Sequence, residues 1–150
     1  MTVIELTTDL QGSAEEAFDL SLDVNLHTES MSASKEVAIA GVTSGRMALD
    51  DEVEWRAWHF GIPWRMRNRI TAFDRPRRFV DEQVNGPFAH FRHEHLFATQ
   101  QNVTRMIDRI EFSAPLGVIG RAVERLVLAH YLKRLIGRRN SYLASKITAR

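Results

Sequence analysis

Cysteine is absent from the 150 residues, which excludes a disulfide framework, a thiolate zinc site, an iron–sulfur cluster and a cysteine nucleophile together. Long apolar runs are missing as well. No stretch approaches the roughly eighteen apolar residues of a membrane-spanning helix, and the opening MTVIELTTDL has neither the basic nor the long apolar region of a secretion signal. The expectation is a soluble, cytoplasmic protein. Asn102-Val103-Thr104 matches the glycosylation tripeptide but carries no weight without secretion. Charge of one sign is also lacking: twenty basic against nineteen acidic side chains leave a formal charge of +1. Bulk charge-driven binding of polyanions is thereby excluded, and no nucleic-acid partner is expected. Gly-x-Ser-x-Gly, phosphate-binding and dinucleotide-binding glycine loops and His-Glu-x-x-His are not found, so neither a cofactor nor a metal is expected.

What is present is a chain long enough for one domain, read as 1–150, with 44% hydrophobic residues. The near-neutral total hides an asymmetry. Residues 117–150 hold eight basic side chains and one acidic, against twelve and eighteen in the remainder.

Thr2 to Asp9 alternates as a strand. Ser13, followed by Glu15 and Glu16, marks a helix N-terminus, predicting one helix over about 13–22 and a second short one near 23–30. Residues 31–50 are less regular, with β character from Glu36 to Ala40. Five strand-length runs then follow: Glu52–Phe60, Trp64–Phe73, Arg77–Asn85, Phe88–Ala98 and Val103–Phe112. Their separators, Gly61-Ile62-Pro63, Asp74-Arg75-Pro76, Asn85-Gly86-Pro87 and Thr99–Asn102, are short turn signals, so the strands are consecutive antiparallel neighbours. After Pro115-Leu116-Gly117 the period becomes helical. Ile119, Ala122, Leu126, Ala129, Ile136, Leu143 and Ile147 share one face, interrupted by Lys133 and Asn140. Such a helix of about thirty residues would be on the order of 45 Å long. The plan is α+β: a sheet burying one face against the terminal helix, with a pocket in the space between.

Alternation assigns the inward side chains. They are Val53, Trp55, Ala57 and His59; Trp64, Met66, Asn68 and Ile70; Phe79, Asp81 and Gln83; Phe91, His93, His95 and Phe97; and Met106, Asp108, Ile110 and Phe112. Trp58 and the row Arg65, Arg67, Arg69 point to solvent. Folding the strands about their turns predicts a cross-sheet row of Trp55, Asn68, Asp81, His93 and Asp108. The expected ligand-contacting set is Trp55, His59, Trp64, Met66, Asn68, Phe79, Asp81, Gln83, Phe91, His93, His95, Met106, Asp108 and Ile110, with Leu126 from the helix above.

The His/Asp group has three readings. Asp81 or Asp108 could orient His93 as a general acid or base. His93 and His95 at i, i+2 with an Asp could ligate a metal. The groups could instead satisfy one another or orient a ligand, and this last reading leads. Arg121, Arg125, Arg138, Arg139, Lys146 and Arg150 gather on one side of the terminal helix. They form either a solvated face or a weak contact with an anionic membrane.

The run LDDEVEWRAWHFGIPWRMRNRITAFDRPRRFVDEQVNGPFAHFRHEHLF, followed by DRIEFSAPLG and LKRLIGRRN, resembles the bacterial SRPBCC proteins, the START-like group related to polyketide cyclases and dehydrases. The resemblance covers about residues 36 to 143 and is most specific from Phe73 to Phe97. It implies a helix-grip fold, an antiparallel sheet gripping a long C-terminal helix around a hydrophobic cavity. It implies a small hydrophobic or aromatic ligand, lipid-like or polyketide-like, and as the alternative a cyclase or dehydratase using the His/Asp row with His93, Asp81 and Asp108 as candidate catalytic groups. No shared catalytic set is carried over, and oligomeric state is not implied.

Overall fold

The computed structural model describes residues 1–148. Seven strands form one antiparallel sheet: β1 (Thr2–Gln11), β2 (Val37–Gly41), β3 (Glu52–His59), β4 (Ile62–Asp74), β5 (Arg78–Asn85), β6 (His90–Gln100) and β7 (Val103–Ser113). Their order is β1-β7-β6-β5-β4-β3-β2. Two short helices, α1 (Ala14–Ser21) and α2 (Val24–Ser30), carry the chain from one sheet edge to the other. Ser13 caps α1 as expected, its Oγ accepting from Glu16 N at 3.2 Å, and Asp23 caps α2, its Oδ1 accepting from Leu26 N at 3.0 Å. After β7 come α3 (Gly117–Val123), a π-helical turn (Glu124–Leu128) and α4 (Ala129–Thr148).

The hairpins are tighter than the turn signals suggested. Phe60 and Gly61 turn β3 into β4 with φ of 56° and 71°, and Gln101 and Asn102 turn β6 into β7 with φ of 51° and 63°. These are two-residue turns with both residues left-handed, whose twist suits antiparallel partners. Ile62 and Pro63, expected in the turn, already belong to β4. The two tighter turns, and register irregularities between β4 and β5, change the expected row. Trp55 faces Met66 and Asn68 faces Val53; Asn68 also faces Gln83; His93 faces Ile110 and His95 faces Asp108. Asp81 stands opposite His93 as expected, and Phe79 is opposite His95. At these positions each slip is of two residues, so these side chains keep their face while their cross-strand neighbours change. Nearer the β4–β5 turn, a one-residue irregularity between Ile70 and Ala72 brings Phe73, which alternation with Arg67 and Arg69 would put outward, onto the inward face. Arg67 and Arg69 lie outward and both bind Glu52.

The inward face packs in two clusters. In one, Phe18 of α1 meets the edges of Phe73, Phe79 and Phe97 at centroid distances of 5.3, 5.3 and 5.6 Å, joined by Leu10, Met106, Leu143 and Ile147. In the other, Ile4, Met31, Ile110 and Phe112 pack under Leu132 and Ile136. Burying each large side chain contributes about 1.5–3 kcal/mol. Between the clusters the sheet and the terminal helix do not meet, and a cavity remains.

The helix face departs from expectation in its first third. Ile119 and Leu126 are exposed, at 69% and 76%, while Gly120 and Glu124 are buried. The extra residue in the π turn rotates α3 against α4, so a periodicity continuous through residue 126 selects the wrong side. Further along, Ile136, Leu143 and Ile147 are buried as predicted. Gly120 is required where it stands: a Cβ there would lie 2.0 Å from Pro115 O. Glu124 closes this end by accepting from Ala114 N at 2.6 Å and Thr2 Oγ1 at 2.9 Å. Among the described residues, no helix is long and apolar enough to cross a membrane.

Candidate functional site

The cavity holds about 510 Å³, within the range of small-molecule pockets. Its wall is mainly apolar: Val53, Trp55, Met66 and Phe91 from the sheet, with Leu132 and Ile136 from α4. Of the residues expected to meet a ligand, Trp55, His59, Trp64, Met66, Asn68, Phe79, Asp81, Phe91, His93 and His95 lie on this wall.

Five do not. Gln83 is turned to the β5–β6 loop, where its amide donates to Phe88 O at 2.9 Å and its oxygen accepts from Phe88 N at 3.2 Å. Met106 and Ile110 belong to the two packed clusters and are fully buried. Asp108 sits beneath the histidines with no exposure. Leu126 is carried to the outside by the π turn. Phe97, also inward, is packed against Phe18 rather than the cavity.

Asp108 organises the polar part of the wall. One oxygen faces His93 Nε2 at 2.7 Å and Arg139 Nη1 at 3.4 Å, and the other accepts from Asn140 Nδ2 at 2.7 Å. Arg139 is therefore no part of an exposed basic face. It is 4% exposed because its guanidinium neutralises a carboxylate that could not otherwise be buried. Asn140, which interrupts the apolar stripe, lies at the same point. Arg150 falls outside the described residues. Burial alone would push the Asp108 carboxyl up, but the neighbouring imidazoles and Arg139 more than reverse this and hold it well below the ordinary value of 3.8. As a carboxylate, Asp108 makes His93 Nε2 the donor. The lone pair of His93 Nδ1 then takes no partner among the described residues. Burial, followed by the neighbouring His95, lowers the His93 pKa and favours the neutral ring.

His95 Nε2 lies 2.8 Å from Asp81 Oδ2, its ring stacked between His93 at 3.7 Å and Phe79 at 4.0 Å. Its Nδ1 is 3.3 Å from Asp108 Oδ1 without hydrogen-bond alignment. Asn68 Nδ2 donates to Asp81 Oδ1 at 3.3 Å, which leaves Asn68 Oδ1 buried and without a partner. Burial raises the Asp81 pKa, but the His95 hydrogen bond and nearby positive charge outweigh it and the net shift is downward. Donor atoms of Asp81, His93 and His95 lie within 4.8 Å of one another, close enough to ligate a metal ion. Both Nε2 atoms, however, are directed at separate carboxylates, so coordination through them would break both pairs.

A second polar group lies at the far side of the wall. His59 Nδ1 and Tyr131 Oη meet at 2.5 Å, bridging β3 to α4, and Phe60 packs on the Tyr131 ring at 4.6 Å. His27 Nε2 lies 2.6 Å from Glu36 Oε1, its ring 4.4 Å from that of Trp55. Burial lowers the His59 pKa and raises that of Tyr131. Sequence reasoning missed His27, Glu36 and Tyr131, which reach the cavity from α2, from the segment before β2 and from α4. Helical spacing gave no signal for Tyr131, which stands five residues before Ile136 and so about 140° around the helix from it.

A family model described as polyketide cyclase/dehydrase and lipid transport matches residues 1–148. Comparison with curated proteins finds no match. Among solved structures, a START superfamily protein from Mycobacterium smegmatis superposes with a TM-score of 0.74 at 11% identity, covering 98% of this chain and 97% of that one. Zhui aromatase/cyclase from a Streptomyces species gives 0.74 at 13%, covering 98% and 93%. A major latex-like protein from Panax ginseng gives 0.72 at 12%, covering 97% of each. At such identities the likeness shows the helix-grip fold alone. With the family model spanning nearly the whole sequence, the chain belongs to the polyketide cyclase/dehydrase and lipid transport family.

Proposed function

We propose that this protein binds a small, mainly apolar molecule whose polar end carries hydrogen-bond donors, held between the sheet and α4. The observation that carries this is the composition of the wall. Apolar side chains surround about 510 Å³, and acceptors stand at its polar part: the lone pair of His93 Nδ1 and, just below the surface, the unpartnered Asn68 Oδ1. Beneath them stand two carboxylates, Asp81 and Asp108, against one guanidinium, Arg139. A hydroxyl or phenol satisfies these acceptors, whereas a carboxylate would face them with like polarity. Isothermal titration with 2-naphthol, 2-methoxynaphthalene and 2-naphthoate tests the reading. The naphthol is expected to bind about tenfold more tightly than its ether, the difference one net hydrogen bond makes. Tightest binding by the carboxylate, or no binding by any of the three, would overturn it.

One observation favours catalysis as a second reading. Asp108 fixes His93 with its proton on Nε2, which supports Nδ1 as a general base toward a bound polyketide-like substrate. His93→Gln would then abolish turnover of such a substrate while binding persists. Equal loss of binding and turnover would favour a binder alone.

A further inference from the structure

The outer surface of α3 is apolar where a surface helix is ordinarily polar. Gly120 and Glu124 face the protein, so Val118, Ala122 and Leu126, at i, i+4 and i+8, point the opposite way. Val118 is 72% exposed and Leu126 76%. The patch continues to the cavity: Phe60, Trp64, Leu116, Ile119 and Val123 are exposed and also line the cavity wall. An apolar surface of this extent, continuous with a pocket opening, calls for a partner.

Charge identifies which. Arg121 and Arg125 flank the patch, exposed and without an ion pair among the described residues. From Gly117 to Thr148 the single acidic side chain is Glu124, which is buried. Lys133, Arg134 and Arg138 are further exposed basic side chains along α4. Two copies of this face would bring arginines together with no carboxylate to pair them, whereas an anionic bilayer offers apolar depth beneath negative headgroups. Trp64 stands at the rim, and its ring is of the kind that settles at a membrane interface.

We infer that the outer face of α3 and the apolar rim of the cavity mouth dock on an anionic lipid membrane, so that an apolar ligand passes between bilayer and cavity without crossing water. The docking stands on the surface residues and does not depend on which ligand the cavity takes.

Vesicle co-sedimentation of the full chain tests it, using phosphatidylcholine alone and phosphatidylcholine with about a third phosphatidylglycerol. The wild type is expected to bind the anionic vesicles at low salt and to be released by high salt. Arg121→Glu/Arg125→Glu and Val118→Asp/Leu126→Asp should each weaken binding about tenfold or more. Neither pair touches the core, and Val118 and Leu126 lie off the cavity wall, so unchanged 2-naphthol binding and thermal melting serve as controls for fold and cavity. No binding at low salt, or binding that survives Val118→Asp/Leu126→Asp, would overturn the inference. So would a concentration-dependent dimer that the same variant abolishes, since the face would then belong to a second copy.

Discussion

Arg139, on the helix above the cavity, reaches down to place Nη1 3.4 Å from Asp108 Oδ1 on the sheet below, and both side chains are almost wholly buried. The pair ties the two layers together at the point where the cavity keeps them from packing. Removing one member leaves the other charged and unmatched. Asp108→Ala is therefore expected to cost about 3–5 kcal/mol, the effect of orphaning a buried charge. Urea denaturation measures it, and a loss below about 1 kcal/mol would show that the network is not holding the layers.

Acid should weaken the fold in two stages. His93 has a lowered pKa in the fold because burial and the adjacent His95 oppose its charge. The unfolded chain then takes that proton first, so the stability His93 contributes is full above the ordinary 6.5 and declines as pH falls below it. Asp108 is held well below its ordinary 3.8, so its contribution is present above that value and is lost as pH falls through the lower folded value. Urea midpoints should accordingly drop between about pH 7.5 and pH 5 in the wild type and drop less in His93→Gln. Equal slopes in the two proteins would assign the acid sensitivity elsewhere.

The helix-to-sheet bridge at the cavity should govern exchange rather than affinity. His59 Nδ1 meets Tyr131 Oη across the gap between β3 and α4, and one net hydrogen bond contributes about 1 kcal/mol. Tyr131→Phe is expected to raise the association and dissociation rates of 2-naphthol together by about fivefold, leaving Kd nearly unchanged. Stopped-flow measurement checks this. A change in Kd with unchanged rates of entry would mean that Tyr131 contacts the ligand instead.

Much of the plan was legible because one face of the sheet is buried. On β6 the alternation of Phe91, His93, His95 and Phe97 against charged neighbours fixes the inward set whatever the register. Register itself was less accessible. The turns close at Phe60-Gly61 and Gln101-Asn102, between one and two residues from the centres of the separators Gly61-Ile62-Pro63 and Thr99–Asn102, and that is enough to move each cross-strand partner by two residues. The helix was misread at Leu126 and Arg139 for separate reasons. A π turn adds a residue that no periodicity contains, and Arg139 looks like any surface arginine until Asp108 supplies its partner. Asn140 was the available clue. A polar side chain interrupting an apolar stripe signals a polar group waiting on the facing layer, here Asp108 at 2.7 Å.

The cavity is the centre of this account, and native mass spectrometry with and without 2-naphthol probes it most directly. The wild type is expected to carry one apolar adduct or to take up one naphthol. Ala57→Phe, which places a ring into the space that Ala57 borders, is expected to melt no lower than about 2 °C below wild type and to carry neither. A wild type that stays at the bare chain mass throughout, or an Ala57→Phe protein that binds as well as wild type, would contradict the account.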